Sequence, residues 1–403
     1  MTDTAVQSEA AGKTESSANA DAATCQEPAV QNATARQVAA AGEDAATKKA
    51  PPRVVKHITV YREDGRFGGW PANHGMWAWG DELLVGFAAG YFKDNGPGLH
   101  AIDHDRPEEH LLARSLDGGE TWNIENPGEQ NQLVPRGASL HGTPVPGLEI
   151  RPFMECPGGI DFTDPDFAFT ARMTDIDAGP SRFNYSLDRG HTWHGPFQLP
   201  MFGQKGIAAR TDYLVQGKHD MMLFVTASKR NAQEGRPCYV RTTDGGKTWK
   251  FMAWISPEPK GFGIMPSTVR VSPTRLISAV RRREGPRRWI ELYGSDDDGL
   301  HWKLEGTPVP DAGEGNPPDM IRLRDGRLSL AYGFRDEPFE IRAMVSDDGG
   351  RSWGKEITLR KGGGRDLGYS RSAQRSDGNV VTVYYLHDKP LGDRYIGGTI
   401  WEP

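Results

Sequence analysis

Five times along this chain the same eight-residue pattern, Ser/Thr-x-Asp-x-Gly-x-x-Trp, returns. It occupies Ser115–Trp122, Ser186–Trp193, Thr242–Trp249, Ser295–Trp302 and Ser346–Trp353, with starts 71, 56, 53 and 51 residues apart. Spacing of that size marks a repeat architecture, in which one supersecondary unit is copied because no single copy buries its own apolar face. Within a copy, the Asp accepts hydrogen bonds from backbone N–H groups ahead of it, and the Gly supplies the positive φ of a tight hairpin. The Trp adds an apolar plate that packs between neighbouring sheets. Each copy follows a strand-like run (HLLAR, RFNY, CYVR, IELYG, IRAMV), so it reads as a hairpin turn used once per unit. Identical turns repeated around a ring are scaffold rather than chemistry.

Between these turns a loop–strand–turn–strand unit also recurs. It begins at residues 68, 164, 209, 265, 316 and 368, the second copy reading DPDFAFTAR. Six units against five turns predict an all-β chain, a six-bladed propeller whose last blade lacks the turn. The runs Val54–Tyr61 and Tyr395–Glu402 are expected to close the ring by completing adjacent blades, which removes exposed sheet edges. Period-two runs such as RLSLAYGF are common and no sustained helical period occurs. Residues 1–52 contain no aromatic residue and are expected to form a disordered extension, leaving 53–403 as the propeller.

A net charge of −6 argues against a nucleic-acid partner. Cys25, Cys156 and Cys238 form no CxxC and leave one over, which fits neither a disulfide framework nor a zinc site. No run approaches the ~18 apolar residues of a membrane span. The N-terminus lacks the basic start and apolar core of a secretory signal, which at face value places the chain in the cytoplasm. Oligomeric state is not encoded in any pattern found.

In a propeller the inner strands surround a central funnel, so polar residues opening each unit are expected to converge there. These are Asn73 and His74, Asp164 and Asp166, Arg210 and Asp212, Ser267, Asn316, and Asp366 with Tyr369. Arg172, Arg210, Arg281 and Arg335 stand on the same side of their units. Guanidinium groups grip carboxylates through paired hydrogen bonds, so a ligand that carries a carboxylate is the expected partner.

The repeated turn resembles the Asp-box, or BNR repeat, of the sialidase (neuraminidase) superfamily, and the resemblance spans roughly residues 55–403. It implies a carboxylated sugar held by three arginines, an Asp acid/base, a Tyr nucleophile activated by a Glu, and no cofactor or metal. Carried over residue by residue, Tyr369 matches the nucleophile, Arg281 the second arginine and Arg335 the third, with Arg342 its competitor. Asp105, and next to it Asp103, match the acid/base. Two matches fail: Gly69-Trp70-Pro71 stands where an Arg-Ile-Pro segment belongs, with Arg66 nearby, and Met265–Ser267 holds no acid. Asp366 or Glu284 are the substitutes for that missing base. Independently of the resemblance, Asp105, Asp164, Asp166 and Asp212 offer a carboxyl pair, and His74, His100 and His104 offer proton carriers. The expected function is exo-hydrolysis of a terminal acidic sugar, with exo-α-sialidase the nearest named activity. The alternatives are a glycosidase or lyase for uronic-acid glycans and a non-catalytic propeller that binds glycan or protein.

Overall fold

The computed structural model describes residues 50–96 and 98–403; of the extension expected over 1–52, residues 1–49 lie outside the described residues. Six antiparallel sheets are arranged as the blades of a propeller. Blade 1 has a broken inner strand, Arg66–Gly69 and Met76–Trp79, followed by Glu82–Tyr91, Glu109–Ser115 and Asn123–Glu125. Blade 2 is Ala168–Met173, Ser181–Ser186 and His194–Gln198. Blade 3 again has a broken inner strand, Ile207–Ala208 and Tyr213–Gly217, then Asp220–Ser228, Glu234–Thr242 and Lys250–Trp254. Blade 4 is Phe262–Arg270, Leu276–Glu284, Arg287–Ser295 and Lys303–Val309. Blade 5 is Asp319–Arg322, Leu328–Phe334, Glu340–Ser346 and Ile357–Lys361.

Blade 6 corrects the expected closure. Gly368–Gln374, Val380–Leu386 and Tyr395–Glu402 supply only three strands, and Arg53–Tyr61 adds the fourth to the same sheet, with Arg53 opposite Glu402. The two ends of the propeller therefore pair directly instead of completing neighbouring blades. Ile58, Val60 and Tyr61 bury themselves against Tyr385 and Ile396 in one core.

Blade 2 brings a second correction. Ala168 pairs with Ser186, the first residue of a repeat turn, so DPDFAFTAR contains the second strand of its blade and not the inner one. Asp164 and Asp166 consequently lie beside that turn: the Arg189 N–H donates to the Asp166 carbonyl at 2.8 Å, and Arg189 Nε to Asp166 Oδ1 at 2.6 Å.

The five turns are superimposable in their bonding. In each, the Ser/Thr hydroxyl donates to the Asp carboxylate at 2.6–2.9 Å and accepts from the Gly N–H at 2.7–2.9 Å. The Asp also accepts the N–H four residues on at 2.8–2.9 Å. Gly119, Gly190, Gly246, Gly299 and Gly350 all have φ between 83° and 92°, where a side chain is disfavoured. Each Trp joins an apolar cluster that holds residues of the preceding blade: Trp122 with Val381, Trp193 with Leu84, Trp249 with Phe169, Trp302 with Phe224 and Trp353 with Ile277.

Burial works against ionisation of Asp117, yet hydrogen bonds from Thr121 and Ser115 outweigh it and lower its pKa to about 2. His301 and Ser352 do the same for Asp297 and Asp348, also to about 2. A depressed folded pKa contributes stability that is present above the unfolded value of ~3.9 and is lost as pH falls toward the folded one. The urea midpoint should thus fall between about pH 4 and pH 2. Asp117→Ala should lower stability by only about 1 kcal/mol, because solvent reaches the exposed turn, and should leave ligand affinity unchanged.

Candidate active site

Tyr369 is the second residue of the inner strand of blade 6. The turn at the far end of that strand bonds to the surroundings of the first repeat turn: the Ser376 N–H donates to Asp81 Oδ1 and Arg375 Nη1 to Glu120 Oε1, both at 2.9 Å. Tyr369 therefore opens on the propeller face opposite the five turns. On that face the inner strands bulge, and Trp70, Met265 and Tyr369 adopt left-handed backbone at φ 58°, 53° and 52°. Register skips between Ile264 and Ser267 and between Gly368 and Arg371 put Met265 and Tyr369 at equivalent places in blades 4 and 6. Such a conformation costs a bulky residue on the order of 1–3 kcal/mol. Fully buried Asn316 holds it at Tyr369, accepting the Tyr369 N–H at 2.7 Å and donating to the Leu367 carbonyl at 2.9 Å.

Arginines surround this tyrosine. Arg281 and Arg335 both act electrostatically on its phenol, and the Arg335 guanidinium lies 5.3 Å from its ring centroid. Burial opposes ionisation of the phenol, but Arg281, Arg335 and Arg210 overcome it and hold the pKa below its ordinary value. Arg172 adds a further charge beside Arg210, and burial with that repulsion lowers its pKa to about 9. Across the sheet from it stands Arg182, also lowered to about 9 by burial and by Arg172. Arg210 is neutralised by Glu234 at 2.6 Å. Among the described residues no salt bridge ties Arg172, Arg281 or Arg335 to a carboxylate; their bonds go to the carbonyls of Asn73, Gly315 and Leu367 and to the Tyr385 hydroxyl.

Asp366, expected to serve Tyr369, is instead a buried hub. It accepts from Tyr385 Oη and His100 Nδ1 at 2.7 Å, from Arg394 Nε at 3.0 Å and from the Ala101 N–H at 3.1 Å. Burial opposes its charge, but His100, Arg394 and Arg335 hold its carboxyl well below the ordinary range. The place of the missing activating acid is apolar, since Met265 packs there with Ala72, Ile264 and Tyr369. Glu284 lies out on the blade 4 hairpin, near Lys260.

The remaining expected residues separate into four groups. Asn73 and His74 sit in the buried helical turn Pro71–His74 at the cup. Asn73 Oδ1 is buried without a hydrogen bond, and His74 Nδ1 lies 3.0 Å from His110 Nε2. Burial, then nearby Arg172 and Arg182, lowers the His110 pKa to about 3, so that ring is neutral. Asp212 is buried on the axis and accepts the Thr268 N–H at 3.1 Å. Beside it Arg371 donates to the carbonyls of Ala72 and Thr211 and reaches Asp319 at 3.4 Å, tying blades 1, 3 and 5 to blade 6 and closing the axis. Asp103 and Asp105 both bind Lys93 Nζ, at 3.0 and 2.9 Å, with the Asp105 side chain 84% exposed; neither bonds to the arginine cluster. Asp164 and Asp166 belong to the opposite face.

Three neighbours of the cup escape sequence reasoning. Trp70 stacks on His141 with 4.0 Å between ring centroids and meets His100 edge-on at 5.1 Å. Glu108, 1% exposed, accepts the backbone N–H groups of His141 and Gly142. His141 lies in the long connection between blades 1 and 2, where no repeat marks its place.

The profile of the BNR repeat-like domain family matches residues 171–382, more than half of the chain. Among solved structures, a protein of unknown function from Dyadobacter fermentans shares 21% identity at TM-score 0.63, over 87% of this chain and 99% of that one. An α-L-arabinofuranosidase from Fusarium graminearum, solved with an iminosugar inhibitor, shares 13% at TM-score 0.53 over 86% and 97%. The Hadza microbial sialidase Hz136 shares 13% at TM-score 0.50 over 84% and 65%. At such identities the likeness is one of fold. A search of curated proteins gives no match. The chain belongs to the BNR repeat-like domain family, built here as a six-bladed propeller.

Proposed function

We propose that the protein is a glycoside hydrolase acting on a terminal acidic sugar, with exo-α-sialidase the nearest named activity. The observation that carries this is the set of guanidinium groups around Tyr369, of which Arg172, Arg281 and Arg335 form no salt bridge with a carboxylate among the described residues. Buried charge without a partner is costly, and a substrate carboxylate between Arg281 and Arg335 supplies the partner. Arg371 bonds across the axis to the carbonyls of Ala72 and Thr211, which supports a site entered from one face and so a chain end as substrate. Tyr369 then stands as the nucleophile, its phenol favoured toward the ionised form by arginines in place of a carboxylate base. A related fold occurs in a sialidase and in an arabinofuranosidase; the arginines favour the acidic sugar. A second reading, cleavage of a uronic-acid glycan by hydrolysis or elimination, is supported by Met265 standing where a base for Tyr369 was expected.

Calorimetric titration with sialic acid, glucuronic acid and galacturonic acid, each beside its methyl ester, tests the ligand class. Binding of one acid should exceed that of its ester by about 30-fold or more, as expected when a buried charge pair is lost. Equal affinity for acid and ester would contradict the proposal.

A further inference from the structure

We infer that His141, backed by Glu108, is the acid that protonates the departing oxygen, an inference that rests on the glycosidase reading above. Glycoside cleavage needs a proton donor at the leaving group. The two aspartates expected there are spent on Lys93 at the surface, so the cup must draw its acid from elsewhere. Glu108 is pinned by the N–H of Gly142 at 2.8 Å and by that of His141 itself. Its other oxygen, Oε1, and His141 Nδ1 are both buried, both without a hydrogen bond, and 3.6 Å apart. Shortening that gap to the ~2.9 Å of an ordinary hydrogen bond satisfies both atoms, and catalytic bonds commonly tighten when substrate arrives. A carboxylate on Nδ1 keeps a proton on that nitrogen and fixes the orientation of the ring.

With Nδ1 turned inward, the 30% of the side chain that is exposed presents the Nε2 side. Trp70, stacked beneath, fixes the plane of the ring. Arg172 links the two halves of the cup, since it interacts electrostatically with both Glu108 and Tyr369. Other groups facing His141 are His100 and His74, while His104 Nδ1 lies 2.6 Å from its carbonyl. Arg182 acts on His74 from behind.

In the step itself, the proton on Nε2 passes to the glycosidic oxygen as the bond between that oxygen and the anomeric carbon breaks. The bonding pair goes to that oxygen, giving the alcohol, while the anomeric carbon is taken by the Tyr369 oxygen. Water then attacks that carbon, displaces Tyr369, and returns its proton to the neutral imidazole.

The test compares two glycosides of the same acidic sugar, one with a nitrophenyl leaving group and one with an alkyl or sugar alcohol. The nitrophenolate departs without protonation; the alkoxide cannot. His141→Gln, checked for fold by circular dichroism, should lower kcat/KM on the alkyl glycoside by about 100-fold or more and on the nitrophenyl glycoside by less than about fivefold. It should also erase the alkaline limb of the pH profile. Glu108→Gln should keep the limb but move it to lower pH. Equal losses on both substrates, or an unmoved limb in both variants, would overturn the role of His141 while leaving the glycosidase reading intact. Absence of turnover of any acidic glycoside by the unmodified protein would overturn that reading and this inference together.

Discussion

Tyr369→Phe should reduce turnover of a responsive acidic glycoside by about 1,000-fold or more, with affinity changed by less than about threefold. The substitution keeps the ring against Met265 and Ala72, and keeps the backbone N–H bond to Asn316. What disappears is the oxygen, the atom that takes the anomeric carbon. A loss confined to kcat is the mark of an interaction made in the transition state. Arg335→Lys is the complementary change. It keeps the charge and loses the planar fork, so it should raise KM more than it lowers kcat. If Tyr369→Phe costs less than about tenfold, the phenol is not the nucleophile, and attack by water becomes the mechanism. Asp105→Asn, at a side chain bound only to Lys93, should leave rates within about twofold.

The largest effect on stability is expected at Asp366. Asp366→Ala strands Arg394, His100, Tyr385 Oη and the Ala101 N–H together. Removing one member of a buried charged network typically costs about 3–5 kcal/mol. Asp366→Asn keeps the shape and part of the bonding, and should cost about half as much. Since the folded carboxyl is held below its ordinary pKa, its contribution is present above about pH 4 and fades as pH falls below that. Urea titrations at pH 7 and at pH 3 measure both terms. An Asp366→Ala protein as stable as the unmodified one at pH 7 would show the hub to be unimportant. Loss of the hub should also raise KM, because the Asp366–Tyr385 bond holds the hydroxyl that receives Arg335.

The scaffold is legible in the sequence because each turn is specified by its own eight residues. Ser, Asp, Gly and Trp at fixed offsets encode the hydrogen bonds and positive φ locally, so the five copies mark five of the six blades. Closure was less legible: which strand pairs with Arg53–Tyr61 depends on a partner more than 300 residues away. The same holds for Asp164 and Asp166, whose strand turned out to lack an inner neighbour. Of the cup, Tyr369 and the four arginines were readable because they recur at matched places in the repeat. Glu108 and His141 were not, since their pairing arises where a non-repeating connection folds back over blade 1, and no period records it. Asp103 and Asp105 illustrate the converse. Spacing before the first turn pointed to them, but Lys93, contributed by the chain just beyond the strand Glu82–Tyr91, holds both at the surface.

The most direct measurement is release of chromophore by the purified protein from a panel of α-sialosides, glucuronides, galacturonides and α-L-arabinofuranosides. Turnover of at least one acidic glycoside, abolished by Tyr369→Phe and absent for the neutral arabinofuranoside, is the result expected of a cup lined by Arg281, Arg335 and Arg172. Cleavage of the arabinofuranoside alone, or binding of an acidic sugar with no cleavage of any member of the panel, would contradict it.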